Sequence, residues 1–202
     1  MKKFLFLFLL TAFASPAATD PEAILDRIET LNKKTTTISA SFVQARTLAN
    51  KKTVTLDGTL YFADGDKMDI IYSAPEGDRF CFNGNKMRQT AKGATHNYDL
   101  TKNASMRSLA DCLSWAMTGQ VRSIAKANNA KIDVQEEDSH YVITLTATKK
   151  QVKGYARLTL TYNKKNGLLE RLVMEEFSHV INDYQLHSPK ANAKLPATAF
   201  AL

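Results

Sequence analysis

The side chains able to carry out chemistry are few and scattered. There are four histidines, His96, His140, His179 and His187. None belongs to a His-x-Glu-x-x-His zinc pattern. Glu175 and His179 have helical spacing, but their segment alternates like a strand. Cys81 and Cys112 are not a Cys-x-x-Cys pair. There is no Gly-x-Ser-x-Gly elbow and no Gly-rich phosphate loop. Glu136-Glu137-Asp138 and Glu175-Glu176 place acids side by side. Neighbours on a strand point to opposite faces, so these acids read as turns or edges rather than catalytic dyads. The expectation is a protein that is not an enzyme, with no catalytic residues, no metal site and no cofactor.

Large apolar side chains are abundant by contrast. Phe42, Phe62, Met68, Tyr72, Phe80, Phe82, Met106, Trp115, Met117 and Met174 are bulky, and methionine adapts to greasy ligands of varied shape. Each of them alone suits an ordinary core. Taken together, they need elements that would gather them on one surface.

Those elements are legible from periodicity. Asp20 can cap a helix whose first position is Pro21, with Ile24, Leu25, Ile28 and Leu31 on one stripe. From there to Tyr98 the period becomes two. Val54, Leu56, Leu60 and Phe62 share a face, and so do Met68, Ile70 and Tyr72. Phe80 and Phe82 flank Cys81. Turns at Asp64-Gly65-Asp66, Ala74-Pro75-Glu76-Gly77 and Asn83-Gly84-Asn85 make this an antiparallel meander. Residues 104–119 return to helical period, with Met106, Leu109, Leu113 and Met117 in line and Cys112, Trp115 and Ala116 widening the stripe. A second short helix is expected over residues 121–127. The remainder reads as strands, with a hairpin signal at Asn163-Lys164-Lys165-Asn166-Gly167. Ile143, Leu145, Leu158, Leu160, Leu172 and Met174 are the apolar choices on these strands.

Roughly ten strands approach the size at which a twisted sheet curls. The sheet's apolar face needs cover, and two short helices are little cover for it. Either the sheet closes into a barrel or an apolar concavity remains, which would be a ligand pocket.

Residues 1–17 have the three parts of a secretory signal: Lys2-Lys3, an apolar run over residues 4–13, and small residues through Ala17. The run is too short to span a bilayer. The expected mature unit is one domain, residues 18–202, in the periplasm. Removing residues 1–17 takes the formal net charge from +7 to +5. No basic block has the density of a nucleic-acid stripe, so that partner is not expected. An exported compartment permits a disulfide between Cys81 and Cys112; two buried thiols are the alternative.

The order of these stretches resembles the LolA-type periplasmic outer-membrane lipoprotein carrier family. Phe42 and Gln44 in "ISASFVQART" match its Phe and Gln after a Ser/Ala run. Gly58, Leu60, Tyr72 and Pro75 match its Gly-x-Leu and aromatic-x-x-Pro. Asn83, Gly84 and Tyr98 match its Asn-Gly turn and later aromatic strand. Tyr184, Leu186, Asn192 and Phe200 match its final segment. The resemblance implies an α+β fold: a curved antiparallel sheet forming an incomplete β-barrel, with helices covering the apolar concave face. It implies a cavity shielding the acyl chains of lipoproteins or related lipids. The wall would comprise Phe42, Leu60, Phe62, Met68, Ile70, Tyr72, Phe80, Phe82 and the apolar choices on the later strands. Met106, Leu109, Leu113, Trp115 and Met117 would form the lid. It also implies an inner-membrane lipoprotein-releasing transporter and an outer-membrane acceptor as partners of a monomeric carrier. One place departs from the family. Ala63-Asp64-Gly65-Asp66 stands where many members have Arg-Pro, whose Arg helps fasten the lid. A Cys81–Cys112 bridge from strand to lid would be a substitute tie. An envelope interaction module with a filled core and a lipid or glycan hydrolase are the alternatives.

Overall fold

The computed structural model describes residues 20–64, 66–150 and 154–202. The expected export segment, residues 1–17, lies outside the described residues.

Helix α1 (Pro21–Asn32) begins as its sequence dictates. The Glu22 amide donates to Asp20 Oδ1 at 3.0 Å, and Pro21 follows the cap. Ile24, Leu25 and Ile28 are buried. Buried Asn32 closes the helix: its Nδ2 donates to the carbonyls of Ile28 (3.0 Å) and Gly167 (2.7 Å). That ties α1 to the turn expected at residues 163–167.

The strands that follow are β1 (Thr37–Thr47), β2 (Thr53–Ala63), β3 (Lys67–Tyr72), β4 (Arg79–Asn83), β5 (Lys86–Ala91) and β6 (Ala94–Asp99). Helices α2 (Ala104–Met117) and α3 (Val121–Asn128) come next, then β7 (Ala130–Glu136), β8 (His140–Ala147), β9 (Tyr155–Asn163), β10 (Leu169–Glu176) and β11 (Ile181–Ala191). All eleven form one antiparallel sheet in the order β6-β5-β4-β3-β2-β1-β11-β10-β9-β8-β7. Each half is a meander, and the pairing of β1 with β11 joins them. β6 and β7 stand at opposite ends, so the sheet curls without closing. The chain between those two edge strands is α2 and α3, which cover the concave face.

Register follows the alternation in the sequence. Leu60 lies opposite Ile70, Phe62 opposite Met68, Met68 opposite Phe82, and Ile70 opposite Phe80. In the other half Leu158 faces Leu145, and Leu160 faces both Ile143 and Leu172. One apolar surface therefore runs across both meanders. Gly58 marks a close approach on it. A Cβ there would sit 2.0 Å from the Ile71 carbonyl oxygen and 3.0 Å from the Phe42 ring. Val54 shares the face by parity, yet it is exposed near the start of β2.

The convex face holds two surprises. Asp69, which alternates with Met68 and Ile70 and so lies on the convex side, is 0% exposed. It accepts two hydrogen bonds from Arg79, at 2.6 and 2.5 Å, and one from the Phe200 amide at 3.1 Å. The C-terminal segment folds over this ion pair, and Asn83 Nδ2 donates to the Phe200 carbonyl at 3.3 Å. Cys81 is the second. It alternates with Phe80 and Phe82 and so points away from the concave face, beside Arg79. Cys112 packs in the concave core under α2. Both are buried, unbridged thiols with the sheet between them, so the strand-to-lid disulfide is not made. Burial, with Asp69 nearby, pushes the Cys81 thiol up to about 11; burial pushes Cys112 up to about 12.

Candidate functional site

The helices fill the concave face unevenly. Beneath α3 and the C-terminal half of α2, Ala116, Val121 and Ile124 are wholly buried against the sheet. The Tyr162 hydroxyl donates to the Ala116 carbonyl at 2.9 Å inside this core. Toward the other half the cover thins, and a cleft of about 320 Å³ opens beside α2. Met106, Leu109 and Leu113 of α2 form one side of it. Ile70, Tyr72, Phe80, Tyr155, Met174 and Tyr184 of the sheet form the other. Past Leu113 a wholly apolar void of about 20 Å³ lies among Leu60, Met68, Met117, Leu172 and Leu186.

One end of the cleft is polar. The Tyr72 hydroxyl donates to Gln44 Oε1 at 3.0 Å, and Gln44 Nε2 donates to Asn182 Oδ1 at 3.0 Å. Gln44 is only 3% exposed, so these partners are what make its burial tolerable. The Phe42 ring stands edge-on to Tyr72, with centroids 5.6 Å apart, and supports the rung from beside it. Burial raises the Tyr72, Tyr155 and Tyr184 hydroxyls above the ordinary phenol range, so they stay neutral. Arg46 and Glu176 complete the rim.

The wall expected from sequence is thus divided. Ile70, Tyr72, Phe80 and Met174 line the cleft, and Leu60, Met68 and Leu172 line the small void. Phe62, Phe82, Ile143, Leu145, Leu158 and Leu160 line neither and are buried in the closed core. Of the residues expected in a lid, Met106, Leu109 and Leu113 face the cleft and Met117 the void. Trp115 sits on the outer flank of α2, in a surface groove with Leu100 and Ala127. Sequence reasoning passed over Arg46, Tyr155 and Asn182. The alternation from Phe42 puts Gln44 and Arg46 on the concave face, but their polarity pointed to solvent.

Helix α2 is tied to the β2–β3 turn by an ion pair rather than by a disulfide. In the turn that departs from Arg-Pro, Asp66 Oδ2 accepts from Arg107 Nη2 of α2 at 2.8 Å. Arg107 also meets Asp111, one helical turn on, at 2.5 Å. The acid is on the turn and the arginine is on the helix.

A chain of catalytic side-chain types occurs elsewhere. Ser139 Oγ lies 2.8 Å from His140 Nδ1, and His140 Nε2 lies 2.7 Å from Glu170 Oε2. Ser139 is exposed at a turn, Glu170 also accepts from Asn163, and these residues border neither cavity described above. They form a surface hydrogen-bond chain from β8 to β10 across the intervening β9. Among the described residues, no group of three or more His, Cys, Asp or Glu is placed to hold a metal ion. No described helix is long and apolar enough to cross a membrane.

Similar proteins bear on the architecture. MucB superposes with a TM-score of 0.54 at 13% identity, over 93% of this chain and 64% of MucB; that likeness is one of fold. A LolA superfamily protein from Nitrosomonas europaea gives a TM-score of 0.46 at 12% identity, over 92% of this chain and 99% of its own. The lipoprotein LppX of Mycobacterium tuberculosis gives 0.41 at 14%, over 88% and 99%. No curated protein sequence matches the chain. The sequence model of the family described as outer membrane lipoprotein carrier protein LolA matches residues 33–202. That span takes in every strand of the sheet, both helices over the concave face and all the residues around the cleft, and the chain belongs to the LolA family.

Proposed function

We propose that this protein is a non-enzymatic periplasmic carrier that shields acyl chains of lipoproteins or related lipids on their way to the outer membrane. The observation that carries the reading is the apolar cleft beside a lid helix on an otherwise filled concave face. A methylene group and a water molecule are of similar size, at about 30 Å³, so about 320 Å³ takes on the order of ten methylenes. At about 0.8 kcal/mol each, their burial is worth roughly 8 kcal/mol before ordering costs. That is enough to hold one chain and small enough to let it go. A longer or multiple-chain anchor requires α2 to rise from the sheet. Closing the emptied cleft then competes with the cargo, and the transfer needs no covalent step in the carrier.

Residues 1–17 act as the export signal in this reading, and 18–202 as the working domain. The partners are an inner-membrane lipoprotein-releasing transporter and an outer-membrane acceptor, both met by a monomer. The family description supports the lipoprotein as cargo. The test is uptake of a fluorescent fatty-acyl probe by delipidated protein. Ile70→Asp and Leu109→Asp, one on each side of the cleft, are expected to weaken uptake at least tenfold while Ser139→Ala leaves it unchanged. Equal uptake by all four proteins contradicts the reading.

A further inference from the structure

The polar end of the cleft has hydrogen-bonding groups that the protein leaves unused. Gln44 is spent, since it accepts from Tyr72 and donates to Asn182. Asn182 accepts that bond with Oδ1, which leaves its amide nitrogen as a donor. The Tyr155 hydroxyl borders the cleft without a hydrogen-bond partner among the described residues. Arg46, on the concave side of β1 opposite Asn182, has no carboxylate partner among the described residues. It lies near enough to Tyr72 and Tyr184 for its charge to act on both hydroxyls.

The other charged side chains at the rim have hydrogen-bond partners, which for Asp78 and Glu176 are neutral groups that leave their charge in place. Arg79 is paired with Asp69 through the sheet's other face. Asp78 Oδ1 accepts from the Lys92 amide at 2.6 Å, and Glu176 Oε2 accepts from the Ser178 hydroxyl at 2.7 Å. Arg46 is thus the one charged side chain at the rim without an ion-pair or hydrogen-bond partner among the described residues, and the Asn182 amide and the Tyr155 hydroxyl are further free donors on the cleft. An unpaired cation with free donors beside an apolar slot favours an acceptor-rich ligand head. A guanidinium suits a phosphate or carboxylate in particular.

We propose that this end of the cleft is a head-group subsite that takes the anionic head, phosphate or carboxylate, of a single-chain amphiphile. Arg46 supplies the cation, and Asn182 and Tyr155 supply further donors. The chain runs from there between Ile70, Phe80 and Leu109 toward the void under Met117. This rests on the carrier reading and adds a preference that the reading does not require. A carrier needs only the slot; a subsite discriminates among heads on the same chain.

The test holds the chain constant and varies the head. Dodecyl phosphate, dodecyl maltoside and dodecyltrimethylammonium compete, below their micellar concentrations, with a fluorescent fatty-acyl probe on the delipidated protein. Laurate, added as a fourth competitor, separates carboxylate from phosphate as the preferred anion. Dodecyl phosphate or laurate is expected to compete about tenfold better than the maltoside, and the cation worse than both. Arg46→Gln is expected to erase that preference without changing competition by the maltoside. Asn182→Asp keeps the acceptor for Gln44 while removing the amide donor, and is expected to reduce the preference as well. Thermal midpoints equal to wild type show that both variants fold. Equal competition by all heads, tighter binding of the cation, or a preference that survives both variants overturns the subsite while leaving the carrier reading intact. Failure of the probe and every competitor to bind overturns the carrier reading itself.

Discussion

At the scale of single residues, position relative to the cleft decides what a side chain does. Leu160 and Leu109 are both leucines on the apolar side, yet Leu160 is fully buried in the filled half and Leu109 is half-buried at the slot. Leu160→Ala is expected to cost about 2–5 kcal/mol in urea unfolding and to leave acyl-probe uptake by the folded fraction near normal. Leu109→Ala is expected to cost less stability and more uptake. The same change in both quantities for both variants contradicts the division of the wall. The thiols give a second residue-level expectation. Both have folded values, about 11 for Cys81 and about 12 for Cys112, above the ordinary 9.0. Folding therefore favours their protonated forms. The associated stability is complete below pH 9 and is lost as pH rises through about 11 to 12. At neutral pH the folded protein is expected to leave both cysteines unlabelled by iodoacetamide, with two labels per chain appearing in denaturant.

At the scale of elements, α2 is an anchored plate with one fastened flank. Its C-terminal half is embedded, with Ala116 and Met117 buried and the Tyr162 hydroxyl on the Ala116 carbonyl. Its N-terminal half lies over the cleft and is tied to the β2–β3 turn through Arg107 and Asp66. Both of those side chains are partly exposed, so their coupling in a double-mutant cycle is expected below about 1 kcal/mol. A tie of that strength suits the opening of α2 that the proposed carrier function requires. Arg107→Ala and Asp66→Asn are each expected to speed amide hydrogen exchange around Met106 and Leu109 several-fold, while amides around Ala116 are unaffected. No change near Met106 in either variant contradicts the tie. The turn residues Ala63-Asp64-Gly65-Asp66 reveal their departure from Arg-Pro in the sequence. Their partner was not legible, because Arg107 lies forty-one residues away on a helix whose rotation only packing fixes.

At the scale of the whole molecule, alternation determined more than composition. Leu60, Phe62, Met68, Ile70, Phe80 and Phe82 share a face because strand pairing preserves parity, and the register bears this out. The helix starts at Asp20 and residue 104 were equally local, since caps and stripes are short-range signals. What stayed hidden depends on distant segments. The burial of Asp69 requires the C-terminal segment to lie over it. The site of the cleft depends on how far α2 and α3 cover the sheet, which no strand pattern encodes. For the same reason, a wall read as fourteen side chains became a slot beside a packed core. In the proposed function this slot holds acyl chains in the cell. Native mass spectrometry of the protein, isolated without detergent from the periplasm of its own cells, tests it most directly. A bound fraction heavier by one acylated species is expected, which organic extraction removes and which Ile70→Asp depletes. A single mass equal to the bare chain, unchanged when acylated lipoprotein or lipid is supplied, contradicts it.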